Sequence, residues 1–189
     1  MVAHTTSAPK ATTVDYGIGA DHRATEEAIA AAGIPAVIVR NDWYHENYLG
    51  DVAGARESGV IAAAVGDGRV ASASRADYAE GAVAVLLADG RIGDVLEFAG
   101  DVAWDYTQLA AAASEVVGRE VVYVPQTREE KAAQLASFGL DAGTVAFVVG
   151  IDDAIANGVL ADTDGTLSRI LGRPTTPLVE GLRAGLVAV

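Results

Sequence analysis

The sequence contains no cysteine, and this absence excludes several chemistries at once. Without thiols the chain has no disulfides, no cysteine nucleophile and no cysteine-type metal site. Histidine is also scarce, because His4, His22 and His45 are scattered and none has a partner at zinc-binding spacing. Acidic pairs such as Asp152 and Asp153 lack the spacing of an oxygen-ligand loop. The sequence therefore predicts no metal site.

Positive charge and long apolar runs are scarce as well. The chain has 13 Lys and Arg against 26 Asp and Glu, which gives a net charge of −13. An acidic surface repels a phosphate backbone, so we expect no nucleic-acid partner. No uninterrupted apolar run approaches the roughly 18 residues of a membrane span, and the N-terminal stretch MVAHTTSAPKA lacks the features of a signal peptide. These observations predict a cytoplasmic α/β protein with no membrane partner.

Two signatures of dinucleotide enzymes are missing. The glycines of YGIGAD, Gly17 and Gly19, follow no predicted strand and lack the third glycine of a fingerprint, while GDGR is typical of a tight turn. Lys10 and Lys131 are the only lysines, and neither follows a tyrosine by four residues. Chemistry that depends on a tyrosinate beside a lysine is therefore unsupported.

Helical and strand patterns alternate along the chain. Gly33 and Gly118 are placed to end helices, and Thr127 and Glu130 have capping-box spacing. The patterns predict helices over residues 20–33, 75–90, 105–118 and 127–139, strands over residues 34–40, 94–100 and 121–125, and helices and turns over residues 140–189. Strands separated by helices of this length indicate a parallel sheet with crossover connections.

Aromatic residues make up only 6% of the chain, yet several follow one strand in the stretch VIVRNDWYHENYLG. Ligands of parallel α/β sheets bind beyond the carboxyl ends of the strands, which is where this stretch is expected. Trp43 and Tyr44 could flank a flat ring while Asn41 and Asn47 supply hydrogen bonds; alternatively, the aromatic rings pack back on the core. His22, at the start of a predicted helix, is either a functional group or a partly exposed histidine.

The chain also resembles a known family. The stretches GIGADHRATEEAIAAAGIPAVIVRNDWYHENY, EFAGDVAWDYTQLAAAASEVVGREVVYV and LSRILGRPTTPL resemble bacterial NAD(P)H:quinone oxidoreductases of the NmrA-like type, which are atypical short-chain dehydrogenases. The resemblance implies an α/β fold, the C-terminal part of a Rossmann-like parallel sheet with a small, mostly helical substrate lobe. Residues 1–139 would form the partial Rossmann-like domain with substrate-lobe insertions, and residues 140–189 the helical C-terminal part of the lobe.

The resemblance also implies which residues contact the cofactor and the substrate. Asp42 stands where the family usually has glycine, and His22 falls where isoflavone-reductase-like relatives have a functional lysine. The implied catalytic residues, which donate to the developing phenolate oxygen, are Tyr44, His22 and Asn47. The implied cofactor-binding residues are Asn41, Asp42, Trp43, Tyr44, His45 and Glu46, together with Thr5, Thr6 and Ser7 at the end of a strand.

The implied activity is hydride transfer from NADPH or NADH directly to a quinone, without flavin or metal. The family's G-x-x-G-x-x-G turn is absent, so we expect a fragment, a mis-started reading frame or a reduced relative. Such a chain should bind NADPH weakly, if at all, show little quinone reductase activity, and tend to form a homodimer or aggregate through an unpaired sheet edge. The alternative is a non-catalytic NmrA-like sensor of dinucleotides that acts through a protein partner; the intact turn after the strand favours the enzyme.

Overall fold

The computed structural model describes the backbone of residues 2–7 and the whole of residues 19–187. The strands are β1 (Val2–Ser7), β2 (Ala36–Asn41), β3 (Val60–Ala63), β4 (Arg69–Val70), β5 (Val95–Phe98), β6 (Trp104–Asp105) and β7 (Val122–Pro125). The helices are α1 (Gly19–Ala31), α2 (Leu49–Ser58), α3 (Arg75–Leu87), α4 (Tyr106–Val117), α5 (Arg128–Ser137), α6 (Ala142–Ala156), α7 (Thr166–Leu171) and α8 (Leu178–Val187). A short 3-10 helix, His45–Tyr48, joins β2 to α2.

The main sheet has three strands in the order β1-β2-β5, all parallel. Val37 and Val39 of β2 are fully buried on one face, where they pack with Tyr78 of α3 and Leu167 of α7. This arrangement confirms the parallel α/β fold that the alternating pattern predicts. It also brings the carboxyl ends of three strands to one edge.

A second pair of strands lies apart from the main sheet. The strand predicted over residues 121–125 forms as β7, but it pairs in parallel with β3 rather than with the main sheet. The short strands β4 and β6 form a separate antiparallel pair. The larger core includes Val52 of α2 and Leu109 of α4, together with buried residues of β3, β4 and β6.

Most helix ends follow the sequence signals. The capping box of Thr127 and Glu130 forms, with the Glu130 carboxylate accepting from the Thr127 backbone N–H at 2.8 Å. Asp105 and Gln108 build a second capping box at the start of α4. Gly118 ends α4 with a φ of 76°, a left-handed conformation that favours glycine.

The C-terminal helices pack against the rest of the chain. Residues 140–187 hold α6, α7 and α8, which confirms the predicted helical character of this part. Helix α7 contacts α3 and β5, and α8 contacts α4 and the 3-10 helix. The domain division at residue 139 stays a prediction. Within the described residues, no helix combines the length and apolar character needed to cross a membrane.

Candidate functional site

The turn predicted to bind the ligand lies at the carboxyl edge of the main sheet. We call residues 41–48 the strand-end turn. Asn41, the last residue of β2, is in register with Ser7 of β1 on one side and Phe98 of β5 on the other. Three parallel strands therefore end together at the position where α/β sheets bind ligands.

Asn41 and Asp42 open the turn with buried polar atoms. Asn41 is 5% exposed and Asp42 is 0% exposed. Among the described residues, the Asn41 side-chain oxygen and both Asp42 carboxyl oxygens accept no hydrogen bond. Burial raises the pKa of Asp42 well above its ordinary value of 3.8, and the charges of Asp162 and Glu97 add to that rise. Asp42 is therefore a carboxyl group that the fold favours in its neutral form.

The strand before the turn carries an ion-pair network. The Arg40 guanidinium donates to both carboxylate oxygens of Glu26, at 2.9 and 2.7 Å, and to Glu97 at 2.6 Å. These bonds connect α1, β2 and β5 directly below the turn. A bidentate arginine–carboxylate contact of this kind fixes orientation as well as charge.

Tyr44 presents an aromatic ring at the turn. Its ring packs edge-to-face on Tyr78, with centroids 5.2 Å apart, and the Arg75 guanidinium lies 5.4 Å from its centroid. Its hydroxyl oxygen accepts from the Asn41 side-chain amide at 3.4 Å. Tyr44 is half-buried. A long hydrogen bond and partial exposure leave the hydroxyl able to donate to a ligand.

The other predicted residues of the turn differ in what they contact. The backbone oxygen of Trp43 accepts from the Tyr78 hydroxyl, and the Trp43 side chain packs on the larger core. The Glu46 carboxylate accepts from the backbone N–H of Arg75 at 3.0 and 3.2 Å, at the start of α3. Asn47 is exposed. Contact of these residues with a cofactor or substrate stays a prediction.

His45 is the centre of a buried hydrogen-bond chain. The Trp104 indole N–H donates to the Ser72 hydroxyl oxygen at 2.9 Å, and Ser72 lies 2.8 Å from His45 Nδ1. His45 Nε2 lies 3.0 Å from the carbonyl oxygen of Thr176, which can only accept. Neutral His45 therefore carries its proton on Nε2, and the Ser72 hydroxyl donates to Nδ1. Burial lowers the pKa of His45, while the bond to Thr176 opposes that effect.

Thr176, which lies against His45 Nε2, belongs to a segment far away in sequence. We call residues 173–177, RPTTP, the proline segment. The backbone N–H of Thr176 donates to Asp77 at 2.8 Å, and Arg173 lies 2.9 Å from the other oxygen of that carboxylate. The Thr175 N–H and hydroxyl both donate to Asp101, at 2.8 and 3.1 Å. Although burial opposes it, the bonds from Thr176 and its neighbours lower the pKa of Asp77.

A cavity of about 520 Å³ lies between helix α4 and the proline segment. We call it the α4 cavity. Its lining includes the hydrogen-bonded group of His45, Ser72 and Trp104, so it shares His45 with the strand-end turn. The remaining lining residues are Asp101, Val102, Gln108, Ala111, Ala112, Glu115, Pro174, Thr175, Thr176, Pro177, Leu178 and Val179.

Not every sequence-predicted residue falls in this region. Thr5, Thr6 and Ser7 lie in β1 beside β2, as a strand end, but their side chains lie outside the described residues. His22 lies in the first turn of α1 and is half-buried. Their predicted roles at the cofactor stay predictions.

Sequence reasoning missed the residues that hold the site together. Ser72, Asp77, Asp101 and Trp104 reach the turn or the proline segment only through tertiary contacts. One signal was present, because two prolines within six residues of GRPTTP are unusual for the helical surroundings. Residues 19–187 hold no group of three or more His, Asp or Glu side chains placed to bind a metal ion.

Comparison with known proteins identifies relatives, although no family model matches the chain. Quinone oxidoreductase 2 of Escherichia coli is 42% identical over 177 residues, which is 94% of this chain and 62% of the relative. The crystal structure of that enzyme with NADPH matches with a TM-score of 0.89 and 41% identity, over 96% of this chain and 64% of the other. Triphenylmethane reductase of Citrobacter matches with a TM-score of 0.88 and 30% identity, over 98% of this chain and 64% of the other.

The fold, the strand-end turn and these matches make the chain similar to NmrA-like proteins of the atypical short-chain dehydrogenases. It is a homologue of quinone oxidoreductase 2 of Escherichia coli. The resemblance that the sequence motifs indicate is confirmed. The chain spans about 62% of the length of that curated relative.

Proposed function

We propose that this chain is part of an NAD(P)H-dependent quinone oxidoreductase that transfers hydride directly to a quinone. The observation that carries the proposal is the strand-end turn, where three parallel strands end. The Asn41 oxygen there has no hydrogen-bond partner among the described residues and lies beside the Tyr44 hydroxyl. Relatives that are named as a quinone oxidoreductase and a dye reductase support a reductase rather than a dinucleotide sensor.

The residues of the turn fit the nicotinamide half of a dinucleotide. A carboxamide N–H₂ group is a donor, and the buried Asn41 oxygen is an acceptor that no residue in the described part of the chain satisfies. The Tyr44 ring, held by Tyr78 and Arg75, offers a flat surface of fixed orientation. The nicotinamide, when bound, supplies the hydride.

The residues of this chain would then position the acceptor and stabilise the charge that develops on it. Tyr44 donates its hydroxyl proton in a hydrogen bond to the oxygen that becomes phenolate, with Asn47 and His22 as the other candidate donors. His45 is unsuited to that role, because both of its ring nitrogens are occupied and burial favours its neutral form. Its part is to hold the proline segment in place beside the site.

Finer features of the proposal follow from the family resemblance. Either NADPH or NADH serves as the cofactor, and the reaction needs no flavin and no metal. Asp42, Trp43 and Glu46 complete the cofactor side, and Thr5, Thr6 and Ser7 of β1 are further candidate cofactor contacts. The protein acts in the cytoplasm and self-associates as a homodimer.

The test is NADPH-dependent reduction of benzoquinone, measured by the loss of NADPH absorbance. It is run on the chain and on a chimera that adds the stretch of the Escherichia coli relative outside the matched residues. Tyr44→Phe removes the donor and keeps the ring, so we expect kcat to fall about a hundredfold with an unchanged melting temperature. Tyr78→Phe is the matched control, because the Tyr78 hydroxyl donates to the Trp43 backbone.

The control should lose about 1 kcal/mol of stability and keep its turnover. The proposal is wrong if neither protein oxidises NADPH in response to quinone. Tyr44 is removed from the mechanism if Tyr44→Phe turns over quinone at the unmodified rate.

A further inference from the structure

We propose that the α4 cavity binds the flat ring of the electron acceptor and selects rings that carry no negative charge. This inference rests on the proposed function, because it names the class of acceptor; Tyr44 does not line the cavity, so Gln108 and Tyr44 contact opposite ends of the acceptor, with His45 between them. A volume of about 520 Å³ falls within the range of about 300–1,000 Å³ that is typical of small-molecule sites. The cavity adjoins the strand-end turn through His45, which belongs to both.

The walls of the cavity are suited to an aromatic ring. Its lining residues include Trp104, Ala111 of α4, Pro177 and Leu178. The group around Trp104 is rigid, because the Trp104 N–H, the Ser72 hydroxyl and both His45 nitrogens bond to one another or to the proline segment. A rigid, mainly apolar slot recognises a flat ring through shape and burial of apolar surface.

Gln108 supplies a directional polar contact. Its side-chain oxygen accepts from the Asp105 backbone N–H at 3.0 Å, as part of the capping box of α4. This bond fixes which end of the amide faces the helix start and leaves the amide nitrogen as a donor. Because Gln108 lines the cavity, its amide nitrogen is placed to donate to a ring carbonyl.

The charges of the lining determine which rings are accepted. Asp101 and Glu115 line the cavity, and within residues 19–187 no lysine or arginine lines it. The whole chain carries a net charge of −13, which adds to the negative potential. A ring that bears a sulfonate or carboxylate is therefore repelled, while a neutral or cationic ring is not.

The experiment is calorimetric titration of the 189-residue chain without any nicotinamide cofactor. The probes are naphthoquinone, naphthoquinone sulfonate and the cation N-methylphenazinium. We expect naphthoquinone and the cation to bind at least about tenfold more tightly than the sulfonate, with the difference shrinking at high salt. The absence of cysteine removes thiol addition to the quinone as a competing reaction.

Two variants test the location. Ala111→Trp fills the cavity and should abolish binding of all three probes, whereas Thr107→Trp, exposed on the same helix and outside the cavity, should not. Glu115→Gln should tighten sulfonate binding about fivefold and weaken the cation by a similar factor, with naphthoquinone unchanged. Glu120→Gln, exposed just after α4, is its control and should change nothing. Glu115→Gln keeps the test valid even if Ala111→Trp fails to fold.

Equal binding of the sulfonate and the neutral quinone overturns the proposal, as does naphthoquinone binding that survives Ala111→Trp in a folded protein. No binding of any probe also overturns it. These outcomes are separate from the fate of the proposed function. If Tyr44→Phe loses turnover but no probe binds the α4 cavity, the proposed reductase function stands and the proposed acceptor site is wrong. If the probes bind the cavity but the chimera does not turn over quinone, the acceptor site stands and the proposed reductase function is wrong.

Discussion

The strand-end turn and the proline segment meet at His45, but they differ in whether their buried polar groups have hydrogen-bond partners. In the turn, Asn41 and Asp42 bury three oxygens that have no hydrogen-bond partner among the described residues. In the proline segment, Thr175 and Thr176 direct their backbone and hydroxyl donors to Asp77 or Asp101.

This difference indicates that the two regions have different roles, one in binding and one in stability. A buried acceptor without a donor lowers stability by about 1–3 kcal/mol. A ligand that supplies the donor to the turn removes this cost, which favours binding. A buried carboxylate that accepts several hydrogen bonds stabilises the fold without a ligand. The proline segment is therefore expected to govern stability, and the turn is expected to govern binding.

The largest effect should come from removing the carboxylate beneath the proline segment. Asp77→Ala leaves the Thr176 N–H and the Arg173 guanidinium without their acceptor, so we expect a loss of about 3 kcal/mol in the free energy of unfolding. Glu80→Ala is the matched control on the same helix, because Glu80 also pairs with Arg173 but is 55% exposed. Chemical denaturation should show a change within about 0.5 kcal/mol for the control. Equal losses in both variants would contradict the comparison.

A second prediction concerns how closely α8 approaches the turn. A Cβ at Gly181 would lie 2.4 Å from His45 Cδ2, a ring that cannot move because both of its nitrogens are bonded. Gly181→Ala should therefore cost about 2 kcal/mol despite the better helix propensity of alanine. Gly54→Ala, in α2 with open space around it, is the control and should stabilise by up to about 1 kcal/mol. Thermal unfolding of the two variants would decide; stabilisation by Gly181→Ala would show that the packing at His45 is loose.

In the strand-end turn, we expect one substitution to raise the stability of the protein rather than lower it. Asp42→Asn removes a buried carboxyl group whose oxygens accept no hydrogen bond from residues 19–187, so we expect the variant to be about 1–2 kcal/mol more stable at neutral pH. The folded-state pKa of Asp42 lies above its unfolded value of 3.8. The unmodified protein therefore loses stability as pH rises from about 3.8 to the folded-state pKa. The advantage of the variant should therefore be small near pH 4 and grow as pH rises. Denaturation at several pH values measures it, and an advantage that is independent of pH would rule out ionisation of Asp42 as its cause.

The smallest effect should be the pH dependence that His45 contributes. Its folded-state pKa lies below the unfolded value of 6.5, so stability falls as pH drops through 6.5 towards the folded pKa. Replacement by glutamine, His45→Gln, should remove this part of the acid sensitivity, whatever it does to stability at higher pH. His22→Gln is the control. The comparison of slopes between about pH 5 and 6.5 is the measurement, and equal slopes in His45→Gln and the unmodified protein would contradict a buried neutral His45.

Local signals predicted much of the fold. The helices α1, α3, α4 and α5 lie where their patterns and end signals place them, and the capping box of Thr127 and Glu130 forms as its spacing indicates. Helix α2 was missed, because LGDVAGARES has two glycines and no clear apolar face. The strand over residues 121–125 was found, but its pairing with β3 depends on residues about sixty positions away.

The sequence by itself determined the periodicity of the elements, their ends and the concentration of aromatic and amide side chains after β2, because these depend on residues within a few positions of one another. Only the tertiary structure decided that Asp42 is fully buried, that His45 is bonded to Thr176, and that Asp77 holds the proline segment. Those contacts join residues that are 131 and 99 positions apart. Nothing in a local pattern specifies such pairs, since they form only when helices and strands pack and exclude water from the groups between them.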